Sequence, residues 1–123
     1  MGAVDAVFDT NILIDYMHGI VSARDEIALY TRPAISIMTW MEMMTGTTPA
    51  TEAGTREFLS NFVQRPISQK VAEIAVRLRR DLRLKLPDAV ILATAEADGC
   101  LLITRDVKDF PAGHPRVRTP YTL

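Results

Sequence analysis

The stretch that decides the fold is AVFDTNILIDYM, residues 6–17, in which two apolar runs meet at an aspartate. The residues before Asp9 are apolar, with β-branched and aromatic members, which predicts a buried strand over 4–8. The segment NILIDYMHG after Asp9 is typical of a helix, with Gly19 as a candidate for the helix end. An ionised carboxylate among apolar residues costs several kcal/mol unless a partner compensates its charge. Asp9 therefore either caps the helix or belongs to a charged site.

Outward from this stretch, strand-like apolar runs alternate with helical patterns along the chain. The run CLLIT at 100–104 is apolar on both faces, as in a parallel strand that helices cover on both sides. The alternation predicts an α/β fold with a central, mostly parallel sheet in a single domain, 1–123. The other predicted elements are a helix at 22–31 with Ser22 as N-cap, a strand at 34–38, a helix with Thr39 as N-cap, helices at 55–63 and 68–84, a helix from Pro87 to Gly99 and a short strand near Val117.

The composition is that of an ordinary globular domain, with 48% hydrophobic and 24% charged residues. No apolar run approaches the roughly 20 residues of a membrane helix, so we expect no membrane association. The first ten residues, MGAVDAVFDT, lack the basic region of a secretory signal. The single cysteine excludes an internal disulfide. Together these features predict a cytoplasmic protein.

Four acidic residues fall where a parallel sheet places its ligands, beyond the carboxyl ends of the strands. Asp9 ends the first predicted strand, Glu42 lies four residues beyond the strand AISIM, and Asp106 lies two residues beyond CLLIT. Asp88 lies in the first turn of the helix that Pro87 opens, where it can face the same edge. The positions therefore predict one acidic site at this edge of the sheet.

Each acid also has a purely structural explanation. Glu42 completes a capping box with Thr39, and Asp88 is favoured by the dipole of its helix. Asp106 can start a turn, and Asp9 can cap the helix that follows it. Only convergence of the four side chains decides between these explanations and a shared site.

A converged group of carboxylates requires a cation. Two carboxylates about 5 Å apart repel by roughly 3 kcal/mol at an effective dielectric constant of about 20. No histidine or cysteine lies near these acids in the sequence, and a site with oxygen ligands alone suits Mg²⁺ or Mn²⁺ rather than Zn²⁺. Oxygen-bound Mg²⁺ serves phosphoryl transfer and nuclease chemistry.

Four motifs occur in order over residues 7–110: VFDTNILIDY, Glu42 after a strand, LPDAVILATA and LLITRDVKDF. In this order they resemble the successive motifs of PIN-domain ribonucleases, and more closely those of the VapC-like toxins of type II toxin–antitoxin pairs. The resemblance implies a three-layer α/β/α PIN-like domain. The segment 45–70 carries no motif of this family.

The resemblance implies a set of four catalytic, metal-binding acids: Asp9, Glu42, Asp88 and Asp106. Asp9 and Asp88 would be the direct ligands of Mg²⁺ or Mn²⁺. Asn11 and Thr104 would support the site by orienting it. Asp109 matches a further acid that some members of the family place near the site, or it is a solvated turn residue.

The predicted function is Mg²⁺-dependent endoribonuclease cleavage of RNA phosphodiester bonds by the toxin of a toxin–antitoxin pair. The alternative is a catalytically silent PIN-like module that binds RNA or protein. A receiver-like signalling domain is disfavoured because Thr10 and Asn11, rather than a second acid, follow Asp9. A phosphatase that forms an aspartyl phosphate would need Asp at position 11.

The basic residues predict where RNA binds. Residues 1–60 carry eight acids and three bases, whereas residues 61–123 carry seven acids and eleven bases. This asymmetry permits a polyanion site in the second half. The predicted RNA contacts are Arg79 and Arg83, which share a helix face, and Arg105 beside Asp106. The alternative is a solvated face, since Asp81 lies four residues from both Arg77 and Lys85.

A cluster of methionines around Trp40 predicts a protein contact. Trp40, Met41 and Met44 share one face of a short helix, which suits a groove for an antitoxin helix or an interface between the subunits of a homodimer. Packing in the core is the alternative for these side chains. The predicted partners are therefore an RNA substrate, a cognate antitoxin and a second copy of the chain.

Overall fold

The computed structural model describes residues 4–123, which form five strands and six helices. Residues 1–3 lie outside the described residues. The predicted domain 1–123 and the predicted lack of a secretory signal both include these three residues. The elements are β1 Ala6–Phe8, α1 Thr10–Met17, α2 Val21–Ala28, β2 Pro33–Ser36, α3 Ile37–Thr45, α4 Glu52–Leu59, β3 Val63–Arg65, α5 Gln69–Leu82, α6 Leu86–Asp98, β4 Leu101–Ile103 and β5 Val117–Arg118.

The five strands form one sheet in the order β3-β2-β1-β4-β5, and every pairing is parallel. Val7 of β1 lies opposite Ala34 of β2 on one side and Leu102 of β4 on the other. The predicted parallel sheet is thus confirmed. Because all strands run the same way, the chain leaves every strand at the same edge of the sheet.

Helices cover both faces of the sheet, which confirms the predicted three-layer α/β/α arrangement. On one face, Val7 packs in a core cluster with buried residues of α5 and α6, such as Ala75 and Leu92. On the other face, Phe8 packs with residues of α1 to α4, such as Leu13. Successive side chains of a strand point to opposite faces, so the three residues of β1 serve both cores. No helix in residues 4–123 is long and apolar enough to span a membrane.

The start of α3 differs from the prediction in a way that bears on Glu42. The helix begins at Ile37, and the Ser36 hydroxyl, rather than that of Thr39, caps it by accepting a hydrogen bond from the Met38 amide at 3.0 Å. The chain turns into the helix directly from the end of β2, so Thr39 lies inside the helix and is buried. The capping box of Thr39 and Glu42 is therefore wrong.

Two further predictions on element ends are wrong. The second helix has Ile20, not Ser22, at its N-cap position, and it ends at Ala28. The predicted helix at 55–63 instead comprises residues 52–59, and Val63 begins the edge strand β3. Strand β3 has only three residues, and its pairing with β2 rather than a local apolar pattern defines it.

The last two helices lie where they were predicted. The Ser68 hydroxyl caps α5 by accepting from the Val71 amide at 3.1 Å. The helix α6 has Pro87 in its first turn and ends at Gly99, whose φ of +67° suits a glycine. Strand β4 and the short β5 around Val117 also lie where they were predicted.

Candidate active site

The candidate site lies at the edge of the sheet where the parallel strands end. Asp9 follows β1 directly, and Thr104 follows the neighbouring strand β4 directly. The Thr104 hydroxyl donates to Asp9 Oδ2 at 2.8 Å and receives hydrogen bonds from Asn11 Nδ2 at 3.1 Å and from the Asp106 amide at 3.0 Å. Asn11 Nδ2 lies 3.5 Å from Asp9 Oδ2. Both residues predicted to support the site are thus in contact with Asp9.

Asp9 serves as a helix cap and faces an acidic group at the same time. It is the N-cap of α1, and its Oδ1 accepts from the Thr10 amide at 2.7 Å. Only 7% of the residue is exposed. Burial raises the pKa of Asp9 to about 6, and the negative charges of Glu42 and Asp109 act in the same direction, against the hydrogen bonds from Thr104 and Thr10.

Glu42 lies in the second turn of α3, and its carboxylate is exposed. The Thr10 hydroxyl donates to Glu42 Oε1 at 2.6 Å and lies 3.1 Å from the Thr39 hydroxyl. Thr10, which lies between Asp9 and Asn11 in the sequence, thus holds the carboxylate of Glu42 in place. This role of Thr10 was not predicted, although its place between Asp9 and Asn11 was a signal.

Asp88 joins the same group from the first turn of α6. Partial burial, followed by the charges of Asp109, Asp9 and Glu42, raises the pKa of Asp88 to about 6. Lys85 opposes this effect. Three of the four predicted acids, Asp9, Glu42 and Asp88, are therefore close enough to repel one another.

The segment after β4 contributes two acids with different surroundings. Asp106 Oδ1 accepts from the Lys108 amide at 2.9 Å, so the predicted alternative of a turn residue is present. Contact with the Asp109 side chain lowers the pKa of Asp106, and the same contact raises the pKa of Asp109. The charge of Asp109 also raises the pKa values of Asp9 and Asp88. Asp109 is therefore not merely a solvated turn residue.

The donor set fits a hard divalent cation. The carboxylates of Asp9, Glu42, Asp88 and Asp109 repel one another, and the raised pKa values of Asp9 and Asp88 record that repulsion together with burial. Oxygen donors of this kind suit Mg²⁺ or Mn²⁺. Within residues 4–123, no three acidic, histidine or cysteine side chains are already drawn together as a complete metal-binding group.

Arg105 and Arg79, two of the three predicted RNA contacts, already have partners within the chain. Arg105 forms a two-pronged ion pair with Asp15, at 2.6 and 3.0 Å, and the Tyr121 hydroxyl donates to Asp15 at 2.7 Å. Arg79 Nη1 donates to the Leu84 carbonyl at 2.7 Å. The sequence did carry a signal for the pair of Asp15 and Arg105. Asp15 lies among apolar residues of a predicted helix, and a buried carboxylate requires a partner.

The predicted contact face of α3 is only partly exposed. Trp40 and Met44 pack against the core on the α1 to α4 side of the sheet, as the core-packing alternative holds. The Arg56 guanidinium lies over the Trp40 ring at 5.4 Å from its centre. Met41 is 42% exposed and is the open member of the predicted trio.

Comparison with known proteins relates the chain to one family. The model of the PIN domain matches residues 6–112. Ribonuclease VapC10 from Mycobacterium tuberculosis is 30% identical over 111 residues, which cover 84% of this chain and 84% of that protein.

Solved structures show the same fold. A toxin–antitoxin complex from Klebsiella pneumoniae contains a chain that is 49% identical with a TM-score of 0.91, over 97% of this chain and 100% of that one. VapBC-5 from Mycobacterium tuberculosis is 25% identical with a TM-score of 0.69, over 94% and 96% of the two chains. DNA-bound VapBC from Salmonella typhimurium is 21% identical with a TM-score of 0.80, over 94% and 97%, and supports the fold alone.

Proposed function

This chain belongs to the PIN-domain family and is VapC-like, and from that premise we propose that it is a metal-dependent endoribonuclease, the toxin of a toxin–antitoxin pair. The relative from Mycobacterium tuberculosis is a ribonuclease by name. The observation that carries the proposal is the position of Asp9, Glu42 and Asp88 at one edge of the sheet, where Thr10 bonds to both Asp9 and Glu42 and Asp88 lies in the first turn of α6. A fold maintains the repulsion of such neighbouring carboxylates where a cation compensates it in the working protein.

In the proposed reaction, Asp9 and Asp88 would hold the metal ion. Thr104 and Asn11 fix the Asp9 carboxylate, so that it does not have to be ordered when substrate binds. A Mg²⁺ or Mn²⁺ ion bound there would polarise the scissile phosphate and lower the pKa of a water molecule. Glu42, held by the Thr10 hydroxyl, is exposed at the same edge and would orient the attacking water.

The two acids after β4 complete the proposed site. Asp106 was predicted as the fourth catalytic acid, and we keep it in the proposal. Its partner Asp109 acts on the pKa values of Asp9 and Asp88, so we add Asp109 as a fifth acid. The pair would offer further oxygen donors for a metal ion beside Asp9 and Asp88.

Cleavage of end-labelled total RNA tests this function. Wild-type protein is expected to cleave with Mg²⁺ and to stop in EDTA, whereas Asp88→Asn should lose at least about a hundredfold in rate, since a ligand carboxylate is lost. Asp25→Asn changes an exposed aspartate on α2 in the same way and should cleave like the wild type. An Asp88→Asn protein that cleaves at the wild-type rate would contradict the proposal.

The same assay separates the alternative function. A catalytically silent PIN-like module would bind RNA or protein without cleavage in either Mg²⁺ or Mn²⁺. The observation on its side is that the acids are not already drawn together as a metal-binding group in residues 4–123. RNA that stays intact with wild-type protein and either metal would favour this module.

We also propose an antitoxin protein as partner, a homodimer as the assembly and the cytoplasm as the location. The relative from Klebsiella pneumoniae was solved as a toxin–antitoxin complex, which supports the first of these. Exposed Met41 next to Trp40 is where we expect the antitoxin or the second subunit to bind.

A further inference from the structure

A groove adjoins the acidic site on the side of the connection between α5 and α6. It has a volume of about 530 Å³, and Asp88 and Asp109 form part of its wall. Three basic residues, Arg83, Lys85 and Lys108, line it as well. We call these three the basic groove. A molecule that lies in it is in contact with the acidic site.

None of the basic-groove residues has a partner among the ion pairs of residues 4–123. Six such pairs occur there, and they involve six other arginines. Arg83, Lys85 and Lys108 are all exposed. Their charges are therefore available to a ligand, in contrast to that of Arg105.

Once a metal ion is bound at the acidic site, the acidic residues of the groove do not cancel the positive charge of the three bases. Asp81, Asp88 and Asp109 line the groove together with the three bases. Asp88 and Asp109 belong to the acidic group that the proposed metal ion would neutralise. Lys85 precedes Asp88 by three residues and lines the same groove as Asp88 and Asp109. With the metal ion bound, the groove therefore carries a net positive charge.

The backbone fixes Arg83 at the rim of the groove. With φ of 57° and ψ of 33°, it is the one non-glycine residue in 4–123 with a positive φ. That conformation is strained for a residue with a side chain, and glycine is the usual choice at a helix end of this kind. The hydrogen bond from Arg79 to the Leu84 carbonyl holds the same turn. Arginine at a strained position suggests a function for its side chain.

We propose that the basic groove binds the phosphate backbone of single-stranded RNA next to the scissile bond. This inference rests on the proposed ribonuclease function and specifies its substrate path. The strand would pass from the acidic site along Lys85 and Lys108 to Arg83. Arg79 and Arg105 would act by holding the protein's own loops, which reassigns two of the contacts that the sequence suggested.

Binding of a fluorescein-labelled, mixed-sequence single-stranded RNA is measured in Ca²⁺, which takes oxygen ligands as Mg²⁺ does, and gel electrophoresis confirms that the RNA stays intact. The variant Arg83→Gln/Lys85→Gln/Lys108→Gln should bind at least about tenfold more weakly. The slope of log K against log salt should become shallower by about 2, because each phosphate contact contributes roughly 0.7 for a single strand. Lys85→Gln and Lys108→Gln alone, at exposed positions, should each lower the slope by roughly 0.7.

A matched variant controls for net charge. Arg32→Gln/Lys70→Gln/Arg80→Gln removes the same charge at exposed positions outside the groove and should leave the slope within error of the wild type. Equal salt slopes for the wild type, both triple variants and the single variants would refute RNA binding in the basic groove. Far-ultraviolet circular dichroism checks that each variant is folded.

Cleavage kinetics distinguish two outcomes: that RNA does not bind in the basic groove, and that the protein is not a ribonuclease. If the wild type cleaves with Mg²⁺, the groove predicts an increased KM with little change in kcat for the groove variants. Cleavage with an unchanged KM and an unchanged salt slope would refute the groove and leave the nuclease intact. Absence of any wild-type cleavage, together with a groove-dependent salt slope, would refute the nuclease and support the groove.

Discussion

Thr10 connects two acids from different elements, since Asp9 follows β1 and Glu42 lies in α3. Its amide donates to Asp9, and its hydroxyl donates to Glu42 at 2.6 Å. Glu42 is exposed, and an exposed glutamate without such a bond samples several side-chain conformations. Thr10 is therefore a positioning residue for the proposed site.

Thr10→Val keeps the shape of the side chain and removes the donor. A hydrogen bond to a charged group contributes roughly 1.5–3 kcal/mol, so we expect kcat for RNA cleavage to fall by about tenfold to a hundredfold, with KM nearly unchanged. Thr10→Ser retains the hydroxyl and should recover most of the rate. If Thr10→Val keeps the wild-type kcat, Glu42 does not depend on this bond.

At the scale of elements, the segment after β4 is tied to α1 by a buried ion pair. The Asp15 side chain is 4% exposed, and that of Arg105 is 31% exposed. Burial raises the pKa of Asp15, but the hydrogen bonds from Arg105 and Tyr121 outweigh it and hold the pKa below its usual value. The next residue after Arg105 is Asp106, so this pair fixes where the acids of the segment begin.

Asp15→Asn should lower the free energy of unfolding by about 1–3 kcal/mol. Loss of one partner of a buried pair costs roughly 3–5 kcal/mol, and the partial exposure of Arg105 reduces this. Urea unfolding at neutral pH measures the change. The control is Asp25→Asn, whose pair with Arg24 is about two-thirds exposed on both sides, and which should change stability by less than about 0.5 kcal/mol. Equal stabilities of the two variants would show that the buried pair does not stabilise the segment.

At the scale of the whole molecule, the acidic site opposes folding when no metal is bound. The pKa values of Asp9 and Asp88 are raised from 3.8 to about 6, chiefly by burial. Between these values the folded state holds more protons than the unfolded state. This contribution to stability is therefore fully present below pH 3.8 and is lost as the pH rises through about 6. The lowered pKa values of Asp15 and Glu26 act in the opposite direction, at lower pH.

In EDTA, the melting temperature of the wild type should therefore decrease between about pH 5 and pH 7. Asp9→Asn and Asp88→Asn should each weaken this decrease, since asparagine carries no charge at either pH. Mg²⁺ at a hundred times its Kd should add about 2.7 kcal/mol to the wild type at pH 7.5 and far less to Asp88→Asn. Differential scanning calorimetry in EDTA and in Mg²⁺ measures both effects. A wild-type melting temperature that is indifferent to pH and to metal would contradict the acidic site as described.

Local signals explain the part of the fold that was predictable. The apolar runs around Val7 and Leu102, Pro87 at the start of α6 and the glycine at 99 act within a few residues of chain, and the structure confirms the elements that they predict. Strand β3 carries no such signal, because its three residues become a strand only by pairing with β2. The cap of α3 was misplaced because the end of β2, which pairing sets, decides which residue caps the helix.

The sequence by itself determined the order of the elements, the parallel sheet and the acids that follow its strands. Its motifs named Asp9, Glu42 and Asp88, since their spacing to the strands is a local property. Only the tertiary structure decided how the charges are distributed: that Thr10 holds Glu42, that Asp15 binds Arg105, and that free bases line a groove beside Asp88. The reason is that a side chain's partner depends on distances between residues far apart in the chain, 90 positions for Asp15 and Arg105.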